Sequence, residues 1–179
     1  EIQTYSFVSP KGVDNVRIDE DSWERAFVRI INPLGEENSV MRTILTPNML
    51  EVLGRNYSRN IDSVKAFEIG NTFMANMLGD DKLPDEQYSL CIGMYGKDED
   101  FYSLKGVVTE LLRIMGIRNI GFVAESEYGV YHPGRCARIT VTPKPEAEFH
   151  DGEQEELGIM GEIHPDVAEN YGMDGLRIY

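Results

Sequence analysis

The sequence has few basic residues and no long apolar run. Its 17 lysines and arginines are outnumbered by 31 aspartates and glutamates. The resulting net charge of −14 argues against a nonspecific nucleic-acid binder, which needs a basic surface. No apolar run approaches the roughly 20 residues that span a bilayer, and no basic segment marks a signal peptide. We therefore expect a cytoplasmic protein without membrane contact, and the missing initiator methionine suggests a piece of a longer chain.

Cysteine and histidine are also scarce. Cys91 and Cys136 each lie in an apolar, strand-like segment without a nearby second cysteine, which indicates buried thiols in a reducing compartment. None of the three histidines has a second histidine or cysteine at metal-ligand spacing. Glu36 and Glu37 could bind a metal, but a solvated loop is the favoured interpretation. No metal site is predicted.

The common catalytic motifs are missing as well. There is no nucleophile elbow of the G-x-S-x-G type, no phosphate-binding G-x-x-x-x-G-K-[ST] loop and no dinucleotide-binding G-x-G-x-x-G. The residues alone thus predict a domain without a visible catalytic centre.

The hydrophobic pattern that is present predicts strands joined by short connections, with helices on one side. Such an order favours an α+β fold with a mostly antiparallel sheet. The predicted strands cover residues 2–8, 27–31, 66–73, 87–96, 119–124, 136–142, 157–163 and 176–179, and the predicted helices cover 11–15, a segment beginning near 46, 101–115 and 166–171. Residues 131–135 are predicted to form a turn, and residues 143–156 an exposed acidic loop.

Residues 32–73 form the most informative stretch, which reads as a loop, a helix and a strand. Thr46 is suited to cap the helix, with Pro47 at its first position. Met49, Leu50 and Leu53 then make one apolar stripe together with Tyr57.

Four polar residues of the sequence have two possible roles. His132 and His164 both precede proline; they could act as an acid–base pair, or each could order a turn, which is favoured. Arg42 could bind an anion or pair with Glu68, and the internal pair is favoured. Glu68 itself could form the floor of a pocket or face solvent.

Several segments together resemble the beta subunit of bacterial phenylalanyl-tRNA synthetase. The segments are IQTYSFV at 2–8, NPLGEENSVMRTILTPNMLEVLGRN at 32–56, FEIGNTF at 67–73, FYSLKGVVTELL at 101–112, YHPGR at 131–135 and GIMGEIHPDVAENYGM at 158–173. They occur in order over nearly the whole chain. The resemblance implies that residues 1–179 form a single class II aminoacyl-tRNA synthetase-like module, an antiparallel sheet flanked by helices.

The resemblance also implies a role. In that family the alpha subunit attaches phenylalanine to its tRNA with ATP and Mg²⁺, and the beta module is a non-catalytic structural partner in an α2β2 assembly. Contacts with tRNA are expected mainly from other domains, and no cofactor is expected on this chain. Two alternatives are a free-standing paralogue that binds a small molecule or a partner, and a residual ligase.

The prediction that the module is inactive depends on one position. Class II enzymes hold the ATP α-phosphate with an arginine on a strand, after an apolar or aromatic residue, where a cation stabilises the developing charge. The matching position follows Phe73 and is Met74, which carries no charge. Arg42, Glu68, His132, Arg135 and His164 are then candidate residues of a remnant cleft.

Overall fold

A computed structural model describes residues 1–75, 83–142 and 154–179. The strands are β1 (Phe7–Val8), β2 (Val40–Met41), β3 (Val64–Met74), β4 (Asp85–Tyr95), β5 (Ile120–Ala124), β6 (Tyr131–Val141) and β7 (Glu155–Ile163). The α-helices are α1 (Lys11–Asn15), α2 (Thr46–Tyr57), α3 (Phe101–Ile114) and α4 (Pro165–Asn170). Short 3-10 turns occupy Trp23–Arg25 and Glu36–Asn38. None of the helices in these ranges has the length and apolar character to cross a membrane.

The described strands form three antiparallel sheets, which agrees with the predicted α+β fold with mostly antiparallel pairing. β1 pairs with β2, β3 pairs with β4, and β5, β6 and β7 form a three-stranded sheet in that order. The β3–β4 hairpin has a continuous register from Val64 opposite Tyr95 to Met74 opposite Asp85. Within the described ranges, β4 and β7 therefore each have one edge without a strand of these sheets beside it.

Two apolar cores hold these sheets between helices. In the first, Met49, Leu50 and Leu53 of α2 pack with Tyr95 and other buried residues. The second core gathers side chains from α3 and from strands of both larger sheets; its buried members are Met94, Leu104, Val108, Ile139, Met160 and Tyr179. The predicted stripe of α2 is confirmed for its first three residues, whereas Tyr57 is exposed.

Helix α3 begins and ends as its sequence predicts. The Asp100 carboxylate accepts a hydrogen bond from the Ser103 amide, and the Ser103 hydroxyl accepts one from the Asp100 amide, which forms a capping box. Gly116 follows the helix with a φ of +81°, in the left-handed region that a side chain would disfavour.

The structure corrects three local predictions. Thr46 is the first residue of α2 and makes no capping hydrogen bond, since the N-cap position is Leu45. Residues 27–31 are not a strand, because they meet the two-residue β2 at a single bridge between Arg29 and Val40. The acidic run of residues 19–24 favours a solvated turn, but Glu24 at its end is buried.

Residues 131–135 are also not a separate turn, because they belong to β6. Tyr131 lies opposite Ile163 and Cys136 lies opposite Gly161, so a longer stretch of β6 faces a shorter stretch of β7. Pro133 lies in this bulge, where its lack of an amide hydrogen does not interrupt a regular ladder of hydrogen bonds. The predicted acidic loop lies mostly outside the described residues, apart from its last two glutamates in β7.

In part of β3 the apolar side chains are exposed and the charged side chain is buried. Phe67 and Ile69 are 40% and 55% exposed, whereas Glu68 between them is 2% exposed. Helix α2 covers the Glu68 side of the hairpin, where an added Cβ at Gly93 would lie 2.6 Å from the Met49 Cγ. The solvent-facing alternative for Glu68 is therefore wrong.

Candidate functional site

One concavity is a slot of about 680 Å³ between β4 and β7. Apolar side chains of α2 and α3 line it together with both strands, and polar residues lie among its lining: Ser22, Glu24, Thr43, Thr72, Gln87, Ser89, Tyr128, Tyr131, Arg138 and Glu156. The slot has room for a ligand or a peptide segment, so we take it as the candidate site.

Arg138 is the one basic side chain among the described residues that line the slot. Its Nε donates to Glu125 Oε2 at 2.5 Å, and its Nη1 donates to Glu156 Oε1 at 2.8 Å. The backbone amide of Glu127 and the Arg138 guanidinium stabilise the charged Glu125 carboxylate and lower its pKa to about 2. Arg138 is thus held by two carboxylates.

A buried carboxylate lies at another part of the slot. Glu24 Oε1 accepts a hydrogen bond from the Tyr128 hydroxyl at 3.0 Å, and Glu24 Oε2 accepts one from the Ser22 hydroxyl. Burial, followed by the nearby Glu24 charge, raises the pKa of Tyr128 above its usual value. Tyr128 therefore stays protonated and keeps donating to Glu24 at physiological pH.

Cys91 lines the same slot from β4. Burial, reinforced by the Glu68 carboxylate, raises the pKa of its thiol to about 12. Burial likewise raises the pKa of Cys136 to about 12. Both thiols are neutral near pH 7 and therefore weak nucleophiles. The prediction of buried cysteines is confirmed for Cys136, whereas Cys91 is half-buried.

Arg42 and Glu68 form an internal pair, which was the favoured interpretation. Arg42 Nη1 donates to Glu68 Oε1 at 2.8 Å and to the Thr4 hydroxyl at 2.8 Å, and Arg42 Nε donates to the Asn71 carbonyl at 3.0 Å. The Thr4 amide and hydroxyl also donate to Glu68. Through these hydrogen bonds Arg42 connects the N-terminal segment at Thr4 to β3.

His132, His164 and Arg135 lie near the bulge of β6. His132 Nδ1 accepts from the Gly134 amide at 3.0 Å, and His164 Nδ1 accepts from the Asp166 amide at 3.2 Å. Each histidine orders the backbone just after it, as in the favoured alternative: His132 does so within the bulge of β6, and His164 caps α4. Burial, together with the Arg17 charge, lowers the pKa of His164. Arg135 pairs with Glu162, whose carboxylate also accepts from the Tyr179 hydroxyl.

The structure thus separates the candidate residues into two groups, and neither group belongs to the described lining of the slot. Arg42 binds Thr4, Glu68 and Asn71, whereas Arg135 binds Glu162. Met74 does line the slot, as the last residue of β3. Among the described residues, no cluster of three or more histidine, cysteine, aspartate or glutamate side chains could hold a metal ion.

Sequence reasoning missed two polar features of the slot. Glu24 lies in an acidic run that reads as solvated, and only its long-range contact with Tyr128 identifies it as buried. Arg138 alternates with apolar residues in β6. This alternation predicts a strand but does not indicate the two carboxylate partners of Arg138. No local signal in the sequence distinguishes either residue.

Comparisons with known proteins agree on one family. The family model for the phenylalanyl tRNA synthetase beta chain CLM domain matches residues 1–179. The chain is 43% identical over 170 residues to a phenylalanine–tRNA ligase beta subunit of Clostridium acetobutylicum and 41% identical over 172 residues to that of Clostridium tetani. These matches cover 95% and 96% of this chain but 20% of each relative, so the chain spans about a fifth of their length.

A solved structure shares the fold at low sequence identity. PylSc of Desulfitobacterium hafniense, a pyrrolysyl tRNA synthetase, superposes with a TM-score of 0.69 and 19% identity. The match covers 99% of this chain and 56% of that protein. The described residues therefore share their fold with that protein.

Proposed function

Because the chain belongs to the phenylalanyl tRNA synthetase beta chain CLM domain family, we propose that it is a non-catalytic structural module of such a beta subunit. In this proposal the module supports an alpha subunit that activates phenylalanine with ATP and Mg²⁺. Residues 1–179 act as one class II synthetase-like module in a cytoplasmic α2β2 assembly. Other domains make most of the contacts with tRNA.

The proposal that the module is non-catalytic rests on one observation: Arg138 already pairs with two carboxylates, Glu125 and Glu156. An activation site must offer positive charge to the phosphate at which charge develops during the reaction. The slot's described basic side chain is already neutralised by Glu125 and Glu156, and the strand position expected to hold an arginine is Met74. The buried Glu24 carboxylate adds negative charge to the same slot and would repel a triphosphate. The residues present therefore do not fit ATP.

The other candidate residues support a structural role. Arg42 is enclosed by the Glu68 carboxylate, the Thr4 hydroxyl and the Asn71 carbonyl, and it has no exposed face for an anion. The two histidines accept backbone amides through their Nδ1 atoms, His132 within β6 and His164 at the start of α4. These side chains fix the positions of backbone segments, which is what a scaffold needs.

ATP–pyrophosphate exchange tests the proposal. The full-length beta subunit is incubated with phenylalanine, ATP, Mg²⁺ and labelled pyrophosphate, with and without the alpha subunit. We expect exchange only when the alpha subunit is present. Robust exchange by the beta subunit alone would overturn the non-catalytic role.

A variant of the assembled enzyme gives a second test. Tyr128→Phe removes the hydroxyl that reaches Glu24 and changes the slot with little change in volume. If catalysis belongs to the alpha subunit, the exchange rate of the assembly stays unchanged. A large loss of kcat with normal assembly by gel filtration would instead assign catalysis to this slot.

A further inference from the structure

A sharp turn at the surface follows α4. The Leu176 amide donates to the Met173 carbonyl at 3.1 Å, so Asp174 and Gly175 are the two central residues of this turn. The φ of Gly175 is +71°, whereas the φ of Asp174 is not positive. These angles identify a type II turn, in which the third position favours glycine.

Both central residues of the turn are open to solvent. Asp174 and Gly175 are exposed, and a Cβ added to Gly175 would meet nothing within 4 Å. In the described part of the chain, the Gly175 amide donates no hydrogen bond and the Asp174 carboxylate has no ion-pair partner. The carboxyl group and the next amide nitrogen are therefore adjacent and free to approach each other.

The residue after an aspartate decides how easily these two groups react. The carboxyl carbon and the following amide nitrogen can close a five-membered ring. A side chain on the following residue hinders that closure, and glycine has none. Within residues 1–75, 83–142 and 154–179, Asp174 is the only aspartate or asparagine that glycine follows. The turn thus combines the least hindered neighbour with solvent exposure.

We propose that Asp174 is a site of spontaneous isomerisation to isoaspartate. The Gly175 nitrogen attacks Cγ of the protonated Asp174 carboxyl group; a C–N bond forms, a C–O bond breaks, and the hydroxyl leaves with the amide proton as water. The product is a succinimide ring. Water then opens the ring at Cγ, which restores aspartate, or at the main-chain carbonyl carbon, which gives isoaspartate. One water is released and one is consumed, and no group is oxidised or reduced.

The local structure favours this reaction at Asp174 over other exposed aspartates. Ring closure needs rotation of two turn residues at the surface, and exposed turns open at little cost in free energy. Asp100 shows the contrast, because its carboxylate accepts a hydrogen bond from the Ser103 amide and the bulky Phe101 follows it. A carboxylate held as a helix cap cannot turn toward the next nitrogen.

Isomerisation at this turn has a structural consequence. In isoaspartate the main chain passes through Cβ and Cγ and is one atom longer. The turn joins two buried anchors, Met173 and Ile178, which are 0% and 1% exposed. The Ile178 carbonyl also accepts from the Ile163 amide at 2.8 Å. A longer chain between these anchors displaces or strains at least one of them, so the isomerised protein is less stable. This inference concerns covalent ageing of the chain and is independent of the proposed function.

Ageing of the full-length beta subunit tests the proposal. The protein is kept at neutral pH and physiological temperature for several weeks and then cleaved after glutamate. Cleavage after Glu169 separates Asp174 from Asp151, which also precedes a glycine but lies outside the described residues. Electron-transfer fragmentation distinguishes isoaspartate from aspartate. We expect isoaspartate at Asp174 to rise with time to a level several-fold above that at Asp62, an exposed aspartate followed by serine.

Two controls separate the chemistry from the structure. A synthetic peptide of residues 170–179 isomerises without any fold. Asp174→Glu should form no isomer, because its side chain would have to close a six-membered ring. Isoaspartate in the peptide but not in the folded protein would overturn the proposal, as would equal levels at Asp62 and Asp174.

Thermal melting tests the structural consequence. We expect the aged protein to melt at a lower temperature than fresh protein, in proportion to its isoaspartate content at Asp174. Asp174→Glu aged in parallel retains Asp151 and should lose less stability. Incubation with an isoaspartyl methyltransferase and S-adenosylmethionine, which returns isoaspartate to aspartate, should restore the transition. An aged protein that is rich in isoaspartate at Asp174 and melts like fresh protein would overturn the role of the two anchors.

Discussion

Arg42 and Glu68 form an ion pair from which water is nearly excluded. Their side chains are 4% and 2% exposed, and Arg42 Nη1 lies 2.8 Å from Glu68 Oε1. Gly70 makes room for the pair, since an added Cβ there would lie 2.3 Å from Arg42 Nη2. The pair thus occupies a buried position beside β3.

Removing one charge of this pair should destabilise the fold strongly. Glu68→Gln leaves the Arg42 charge buried without a counter-charge, which costs about 3–5 kcal/mol. Urea unfolding at pH 7 measures the loss. The matched control is Glu110→Gln in the exposed pair with Arg113, where solvent screens the charges and little change in stability is expected. Equal losses in the two variants would contradict the buried geometry.

The stripe of α2 gives a second prediction. Leu53 is fully buried in the core that α2 shares with β4, so Leu53→Ala should reduce the free energy of unfolding by about 2–5 kcal/mol. Leu34 is 99% exposed, and Leu34→Ala should stay within about 0.5 kcal/mol of the parent protein. Thermal or urea unfolding of both variants checks the contrast. A small loss for Leu53→Ala would show that the stripe does not belong to the core.

The order of helices and long strands was predictable because it depends on local periodicity. α3 carries its own capping residues, and the alternation in β4 is visible in its sequence. Segments whose state depends on a distant partner were predicted poorly. Residues 27–31 have strand-like composition but form a single bridge to β2. Residues 131–135 contain turn residues that a bulge against β7 accommodates.

The polar contacts show the same limit. The Arg42–Glu68 pair was one of two alternatives from the sequence, and only their approach across 26 positions decides between them. The contact of Glu24 with Tyr128 spans 104 positions and has no local signature. The expectation that Met74 replaces a catalytic arginine stays a prediction, since it depends on the family pattern.

Close backbone approach at Gly161 leads to a third prediction. A Cβ at Gly161 would lie 2.7 Å from the Arg135 carbonyl oxygen and 3.0 Å from the Cys136 Cα. These are backbone atoms of β6 that cannot rotate away. We expect Gly161→Ala to cost about 2–3 kcal/mol through strain.

Gly106 provides the matched control for that substitution. It lies inside α3, and a Cβ there would meet nothing within 4 Å. Gly106→Ala should stabilise the protein by about 0.5–1 kcal/mol, since alanine loses less backbone entropy in a helix. Calorimetric melting of both variants tests the opposite signs. A stable Gly161→Ala variant would mean that β6 and β7 are farther apart than described.

The last prediction concerns the pH dependence of stability through Glu125. The folded-state pKa of this carboxylate is about 2, below its ordinary value of 4.5, because the Glu127 amide and the Arg138 guanidinium favour its charged form. A carboxylate with a lowered pKa contributes stability above its unfolded-state pKa, and the contribution disappears as the pH falls through the folded-state pKa. The window for Glu125 thus runs from about pH 4.5 down to about 2.

Glu125→Gln isolates this contribution, because the amide does not ionise. We expect the variant to be about 1 kcal/mol less stable at pH 7, the size of one ordinary hydrogen bond, because solvent screens the charge of Glu125. The difference should shrink steadily as the pH falls through that window. Glu127→Gln is the control, since its side chain is exposed and its backbone amide still reaches Glu125. Urea unfolding at several pH values measures both variants, and a gap between parent and Glu125→Gln that stays constant with pH would show that the Glu125 carboxylate is not held in its charged form.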